Sequence, residues 1–161
     1  MVESQITPFL WLDGCAREAA DFYVSTFRDS YIVKVTTLTG PGAGSDVVSL
    51  VVKGQPFTTF DGIPPFEFTP AISFVVNCDT QEELDHYWER LADGGNPIQC
   101  GWIQDRYGVH WQIVPAILQG LLEDETKSKP VLEALLTMVK IDIQQLLDAT
   151  SNHGSDHVSP L

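Results

Sequence analysis

The segment 99–115, QCGWIQDRYGVHWQIVP, concentrates side chains that can do chemistry or hold a ligand. Its nucleophilic and titratable candidates are Cys100, Asp105 and His110. An imidazole can move a proton near neutral pH, a thiolate can attack an electrophile, and a carboxylate can act as a base. These three residues are therefore the candidate catalytic groups, although spacing in one chain cannot show that a nucleophile and a base meet.

The same segment predicts a hairpin, in which alternate side chains point to opposite faces. Trp111 and Ile113 share one face of the second strand and are expected to pack under a helix as core. The candidates for ligand contact lie on the other face, on the partner strand and on the first strand of the chain: Trp102, Gln104, His110, Gln112 and Trp11. Aromatic walls with one or two amides suit a flat, mostly apolar ligand that carries a few oxygens.

Each catalytic candidate also has a structural interpretation. Cys100 beside Gly101 is either a pocket thiol or a small buried hydrophobic residue. Asp105 and Arg106 lie at the predicted turn, where they can serve turn geometry or a surface ion pair. His110 beside tryptophans can be a packing residue or a substrate contact, so the reaction, if there is one, stays open.

The elements that would position these residues follow one order twice. Alternation and β-branched content predict strands, apolar spacing predicts helices, and glycines mark the turns between them. The first half reads as strand 6–13, helix 15–27 and strands 30–39, 47–54 and 55–62. The second half reads as strand 71–78, a helix capped by Thr80 and Glu83, and short strands around 97–100, 101–105 and 109–114.

The C-terminal segment has a different pattern from the two halves. Residues 129–149 carry an apolar stripe that predicts one long amphipathic helix, and residues 150–161 are polar and predict a disordered tail. The predicted organisation is a first module over 1–63, a second module over 64–116, a helical extension over 117–149 and the tail.

Composition limits the classes of function. The chain has 161 residues, 43% of them hydrophobic, and a net charge of −13, which disfavours binding to nucleic acid or to anionic membranes. No apolar run reaches the length of a membrane span, and the N-terminus lacks the features of a signal peptide. Three cysteines without zinc-site spacing are expected to be reduced thiols, so we expect a cytoplasmic protein.

Several motifs together resemble one family: TPFLWLDG with EAADFY, AISFVVNCDTQEELDHYWERL, QCGWIQDRYGVHWQIVP and MVKIDI. They are similar to the PhnB-like branch of the vicinal oxygen chelate (glyoxalase/bleomycin resistance/dioxygenase) superfamily. This branch often carries the name 3-demethylubiquinone-9 3-methyltransferase. The resemblance implies an α+β fold of two βαβββ modules that form half-barrel sheets, and a homodimer in which modules pair within a chain or across chains.

The resemblance also raises the question of a metal, because superfamily enzymes hold a divalent ion through His, Gln or Glu on four strands. Gln112 falls where the metal-binding Glu of those enzymes lies. The faces of the other strands that should supply ligands carry only apolar side chains and hydroxyls: Ile6, Pro8, Leu10 and Leu12, then Thr58 or Thr59, then Ala71 and Ser73. We therefore expect no metal and no cofactor.

The expected function is metal-independent binding of a small aromatic or quinone-like molecule, or an enzyme whose chemistry the sequence does not name. One alternative is a metal-dependent lyase or dioxygenase of the same superfamily. The other is 3-demethylubiquinone-9 3-methyltransferase-like activity, which the family name suggests. Against methyl transfer, the first strand leads into LDGCAR and not into the glycine-rich turn of a Rossmann-like sheet.

Overall fold

The chain divides into two units, Met1–Glu67 and Phe68–Leu161, in a computed structural model that describes residues 6–62 and 66–151. Each unit has a strand, a helix and three further strands, which confirms the α+β fold of two βαβββ modules. The second unit adds three short helices after its last strand. The predicted boundary between modules, at residues 63 and 64, lies outside the described residues.

The first unit is a four-stranded sheet with one helix. Its elements are β1 (Phe9–Asp13), α1 (Ala16–Thr26), β2 (Tyr31–Thr37), β3 (Asp46–Val52) and β4 (Gln55–Gly62). The strand order is β1-β4-β3-β2, with β1 parallel to β4 and the other neighbours antiparallel. Valines and threonines dominate β2 and β3, because branched side chains fit a pleated surface.

Helix α1 covers one face of this sheet. Leu10 and Leu12 are 5% and 2% exposed, and Thr59, which pairs with Leu10, donates its hydroxyl to a carbonyl in the first turn of α1 at 2.9 Å. The other face carries Phe9 and Trp11, which are 57% and 39% exposed. The expectation that Leu10 and Leu12 lie on the face that could supply a ligand is wrong, because burial under α1 removes their apolar surface from water.

The second unit repeats the plan with shorter strands. Its elements are β5 (Phe74–Cys78), α2 (Gln81–Ala92), β6 (Asn96–Pro97), β7 (Trp102–Gln104) and β8 (His110–Pro115). The strand order is β5-β8-β7-β6, and β5 runs parallel to β8. The parallel pair is joined through α2, as such a crossover requires.

Helix α2 begins where its capping residues predict. The Thr80 hydroxyl accepts the backbone N–H of Glu83 at 3.2 Å, and the Glu83 carboxylate accepts the N–H of Asp79 at 2.9 Å. The predicted apolar stripe is buried: Leu84, Tyr87, Trp88 and Leu91. This stripe packs on β7 and β8 and so fixes which face of the hairpin remains available.

The segment after β8 forms α3 (Leu118–Glu123), α4 (Ser128–Leu135) and α5 (Ile143–Ser151). The prediction of one long helix over 129–149 is therefore wrong. Helix α5 extends to Ser151, and the rest of the predicted tail, 152–161, lies outside the described residues. Of the helices in the described part of the chain, none is long and apolar enough to cross a membrane.

The interruption between α4 and α5 has a physical cause. The carbonyls of Met138 and Val139 accept the backbone N–H groups of Cys100 and Gly101 at 2.8 and 2.9 Å. Carbonyls that accept hydrogen bonds from the segment before β7 are not available to accept the N–H groups of a continuing helix. Apolar periodicity does not reveal this competition, because it reports only which side chains share a face.

Candidate functional site

The hairpin between β7 and β8 is fixed by Asp105, which is 3% exposed. Its Oδ1 accepts the N–H groups of Tyr107 at 2.9 Å and Val109 at 3.0 Å, and its Oδ2 accepts the indole N–H of Trp111 at 2.8 Å. Gly108 supplies the left-handed conformation (φ 86°) that ends such a turn. Both carboxylate oxygens are thus engaged in the hairpin, which favours the structural interpretation of Asp105 over a catalytic base.

Strand register divides the hairpin into two faces. Ile103 pairs with Trp111, and these side chains are 0% and 2% exposed beneath α2. The opposite side carries the two other register pairs, Trp102 with Gln112 and Gln104 with His110; we call these four residues the polar face. Four of the five predicted ligand contacts therefore lie together on one side of two adjacent strands.

His110 is the most unusual residue of the polar face. Only 5% of its surface is exposed, yet no described residue offers a hydrogen-bond partner to its Nδ1 atom. Buried polar side-chain atoms are nearly always paired, and leaving one unpaired costs about 1–3 kcal/mol. Because protein atoms cover Nδ1, a ligand at the polar face reaches it only if the ring or its neighbours move.

The two amides of the polar face are oriented by the protein. Gln112 donates from Nε2 to the Ser73 hydroxyl at 2.8 Å, and Gln104 donates from Nε2 to the Gly108 carbonyl at 3.4 Å. Both side chains are partly exposed. Ser73 immediately precedes β5, the neighbour of β8, so the hydrogen bond joins two positions at which the family resemblance predicts metal ligands in the enzymes.

Cys100 does not belong to the polar face. Cys100 and Gly101 both have positive φ, 61° and 80°, which breaks the alternation before β7 begins. The Cys100 thiol donates to the Leu135 carbonyl at 3.5 Å, and the Gln99 amide donates to the carbonyl of Leu136. The contacts of the thiol are with the end of α4, so the structure does not bring Cys100 together with His110 as a catalytic pair.

Trp11 lies in the first unit, within an aromatic group of its own. Its ring centroid is 5.9 Å from that of Phe60, and Phe9 lies 5.8 Å from Phe60 on the same sheet face. A Cβ atom at Gly62 would overlap the indole nitrogen of Trp11, so glycine at this position allows the indole to lie close to β4. Trp11 thus contributes to a partly exposed aromatic surface of the first unit.

Asp61 is a carboxylate whose structural role the sequence does not predict. Its Oδ1 accepts the N–H of Ala16 at the start of α1, and its Oδ2 accepts the N–H of Asp46 at 3.2 Å. A carboxylate at a helix N-terminus caps free N–H groups and is stabilised by the helix dipole. No local signal marks it, because Asp61 is 45 residues from Ala16 in the chain.

The donor atoms do not fit a divalent metal. The polar face offers one imidazole and two neutral amides, whereas catalytic metal sites use three or more imidazole, carboxylate or thiolate ligands. The exposed face of β1 and β4 offers Phe9, Trp11, Thr58 and Phe60. Across residues 6–62 and 66–151, no three His, Cys, Asp or Glu side chains are grouped so as to hold an ion.

Comparison with known proteins places the chain in a family. The family model for 3-demethylubiquinone-9 3-methyltransferase matches residues 4–114. A PhnB protein from Bacillus cereus, provisionally described as a 3-demethylubiquinone-9 3-methyltransferase, is 36% identical, with a TM-score of 0.64. That comparison covers 70% of this chain and 98% of the Bacillus protein. A search of curated proteins finds no match.

Two more distant structures share the fold. PA1353 from Pseudomonas aeruginosa is 22% identical over 70% of this chain and 97% of its own, with a TM-score of 0.58. The fosfomycin resistance protein FosX from Listeria monocytogenes is 15% identical over 77% of this chain and 100% of its own, with a TM-score of 0.54. Because the family model covers more than half of the sequence, the chain belongs to the 3-demethylubiquinone-9 3-methyltransferase family, the PhnB-like branch of the vicinal oxygen chelate superfamily.

Proposed function

We propose that this protein binds a flat, largely apolar small molecule of aromatic or quinone-like type on the polar face, without a metal. The observation that carries the proposal is the buried Nδ1 atom of His110, which lacks a partner among the described residues. It lies on the same face as the partly exposed indole of Trp102. An apolar surface with a few fixed polar groups is the usual composition of a small-molecule site.

Each residue of the polar face has a distinct role in this proposal. Trp102 supplies a planar surface for stacking, which is worth about 0.5–1.5 kcal/mol beyond the area that it buries. Gln104 and Gln112 orient the ligand through hydrogen bonds, and Ser73 holds the amide of Gln112 in place. His110 bonds a ligand oxygen, and in any reaction at this face it is the residue that we assign to proton transfer.

Trp11 is a second proposed ligand contact, in the first unit. Together with Phe9 and Phe60 it presents a partly exposed aromatic surface, which suits the same class of flat ligand. Because Trp11 belongs to another unit of the chain, its contribution has to be measured with a separate substitution, Trp11→Ala.

Methyl transfer from S-adenosylmethionine is less well supported than binding. The connection from β1 to α1 contains one glycine, Gly14, and the N-terminus of α1 is already capped by the Asp61 carboxylate. A cofactor site of the Rossmann type needs a glycine-rich turn and a helix N-terminus that can accept an anionic group. We expect no heat when S-adenosylmethionine is titrated into the protein in a calorimeter.

Titration calorimetry tests the proposal directly. The probes are 2,3-dimethoxy-5-methyl-1,4-benzoquinone and its reduced hydroquinone, added in deoxygenated buffer that contains a chelator. We expect binding of at least one probe, weakened about tenfold by Trp102→Ala through the loss of stacking and buried area. The matched control is Tyr31→Ala, which removes a 51% exposed ring from the first unit. Equal affinity in wild type and Trp102→Ala would contradict the proposed site.

We also propose that the protein forms a homodimer, as the family resemblance implies. Large apolar side chains of α4 and the following loop support an interface in the second unit, since Leu132, Leu136 and Val139 are 47%, 52% and 50% exposed. Light scattering should then give twice the chain mass of 17.8 kDa, and the mass of a single chain would contradict the proposal.

A further inference from the structure

We infer that the turn before β7, together with the loop that follows α4, positions the ring of Trp102 for the ligand. This inference rests on the proposed function, because it concerns the ring on which the ligand stacks. It makes Cys100 and Gly101 positioning residues, whose backbone sets the direction in which the Trp102 side chain leaves the turn.

Trp102 is the last residue of a turn with an unusual backbone. Its N–H donates to the Gln99 carbonyl at 3.2 Å, and its carbonyl accepts the N–H of Ile98 at 2.8 Å. The two residues in between, Cys100 and Gly101, both have positive φ. Positive φ at both central residues is typical of a type I′ turn, which usually carries Asn-Gly or Asp-Gly. A Cβ atom disfavours this conformation, so the contacts around the turn decide whether Cys100 keeps it.

The loop after α4 supplies such contacts from one side. The Met138 carbonyl accepts the N–H of Cys100 at 2.8 Å. The Val139 carbonyl accepts the N–H of Gly101 at 2.9 Å. The side chain of Ile141 is fully buried, and a Cβ atom added to Gly101 would lie only 2.8 Å from its Cδ1 atom. Both N–H groups at the tip of the turn are therefore held by the loop, and the loop leaves no room for another conformation of Gly101.

The turn is also tied to the strand that carries the polar face. The Gly101 carbonyl accepts the N–H of Ile113 on β8 at 2.8 Å, and Trp102 pairs with Gln112 in the register of β7 and β8. Trp102 is the first residue after the turn, so rotation of a peptide within the turn changes the direction of its side chain. The other three residues of the polar face lie on β8 or beyond Trp102 on β7. We therefore expect a disturbed turn to affect Trp102 most.

Substitutions at Cys100 change the preferred backbone conformation of the turn, while the thiol itself contacts the end of α4 and not the polar face. Cys100→Val introduces a β-branched side chain that resists positive φ, whereas Cys100→Asn favours it. We expect Cys100→Val to weaken binding of the tighter of the two ring probes by about fivefold, within the range that aromatic stacking contributes. It should also move the indole N–H NMR signal of Trp102 in the ligand-free protein. Cys100→Asn should leave the affinity and the signal unchanged.

A second pair of variants tests the loop independently. Ile141→Ala removes the side chain that lies against Gly101, and we expect it to move the Trp102 signal as Cys100→Val does. Its matched control, Leu146→Ala, removes an equally buried side chain of α5 and should lower the melting temperature without moving that signal. The control for Cys100→Val is Cys78→Val, in the buried part of β5, where a β-branched side chain suits the extended backbone.

The outcomes separate this inference from the proposed function. If neither probe binds to the wild-type protein, the proposed function is wrong, whereas the signal of ligand-free Trp102 still shows whether the turn fixes the ring. An unchanged Trp102 signal in both Cys100→Val and Ile141→Ala overturns the inference, whatever happens to the melting temperature. Trp102→Phe assigns the signal among the four tryptophans of the chain. Thermal unfolding shows which variants fold, and the milder Ile141→Val replaces any test variant that does not.

Discussion

At the scale of residues, the segment that suggests a site contains two kinds of polar group. Asp105 is surrounded by donors and holds the turn, whereas His110, five residues later, is buried with an unpaired Nδ1 among the described residues. A buried group whose bonds are complete stabilises the fold, whereas one whose bonds are incomplete costs stability and is a candidate for a functional role. The structure therefore gives Asp105 a structural role and leaves His110 as the candidate for ligand contact, a distinction that the sequence could not make.

The bond between Trp111 and Asp105 gives a test at this scale. Trp111→Phe keeps a ring beneath α2 but removes the indole donor to a buried carboxylate. We expect the free energy of unfolding in urea to fall by about 2 kcal/mol, because bonds to buried charged groups are among the strongest. The control Trp11→Phe, at a 39% exposed position, should change it by less than about 0.5 kcal/mol. Equal losses in the two variants would contradict the assigned role of Asp105.

The placement of the candidate site residues on strand faces could largely be predicted from the sequence. Alternation correctly places Trp111 in the core, because a two-residue period determines the face of every strand side chain. The strand register places four predicted ligand contacts on the opposite face: Trp102, Gln104, His110 and Gln112. The contacts of Cys100 could not be predicted. They depend on two left-handed residues and on the end of α4, which lies 35 residues away.

At the scale of elements, the C-terminal segment is held by polar contacts that hydrophobic spacing does not show. The Gln81 side chain, at the start of α2, donates to the Ile141 carbonyl at 3.1 Å and accepts the N–H of Ile143 at 2.8 Å. Lys140 forms an ion pair with Asp85 at 2.8 Å. Together with the bonds from Cys100, these contacts explain why the chain leaves the helix after α4 and starts a new one.

The ion pair makes one part of this attachment sensitive to pH. The hydrogen bond from Lys140, with a second from Gln81, lowers the pKa of Asp85 below its usual value of 3.8. A lowered folded-state pKa gives stability that is present above the unfolded pKa and is lost as pH falls through the folded pKa. Because both partners are more than a third exposed, the contribution is less than about 1 kcal/mol.

We therefore expect Asp85→Asn to be less stable than wild type at pH 5, with the difference shrinking toward pH 3 or below. Urea unfolding at these pH values measures the difference. The control Asp148→Asn removes a carboxylate on α5 that is bonded to Gln144 rather than to a cation, and its difference from wild type should change less over the same range. A constant difference for Asp85→Asn would show that the ion pair does not carry the effect.

At the scale of the whole molecule, the order of the secondary-structure elements and the amino-acid composition predict the fold better than they predict the candidate site. The repeated order of strand, helix and strands, together with the capping residues and turn glycines, predicts both units. This works because the local propensity of each segment agrees with the structure that it forms. The single long C-terminal helix is the main error. The capacity to bind a metal also depends on the whole chain. The chain has 22 acidic residues, but in the part that the structure describes no three His, Cys, Asp or Glu side chains are grouped so as to hold a cation.

Addition of divalent metals tests this last point. We expect Mn²⁺, Ni²⁺ and Zn²⁺, each at about 100 µM, to shift the melting temperature by less than about 1 °C, because a ligand stabilises the native state only in proportion to its binding. Bovine carbonic anhydrase stripped of zinc serves as the positive control for the assay. A shift of several degrees, with one metal per chain after dialysis, would support the metal-dependent alternative.

Ligand binding at the polar face is measured most directly by the NMR signals of the His110 ring nitrogens as the hydroquinone probe is added in the presence of a chelator. His110→Asn assigns the signal among the four histidines of the chain. We expect the Nδ1 resonance of His110 to move and to saturate with the same affinity as the calorimetric titration, while that of His86 on α2 stays fixed. Saturating binding that leaves the His110 resonance unchanged would contradict the assignment of the polar face as the ligand site.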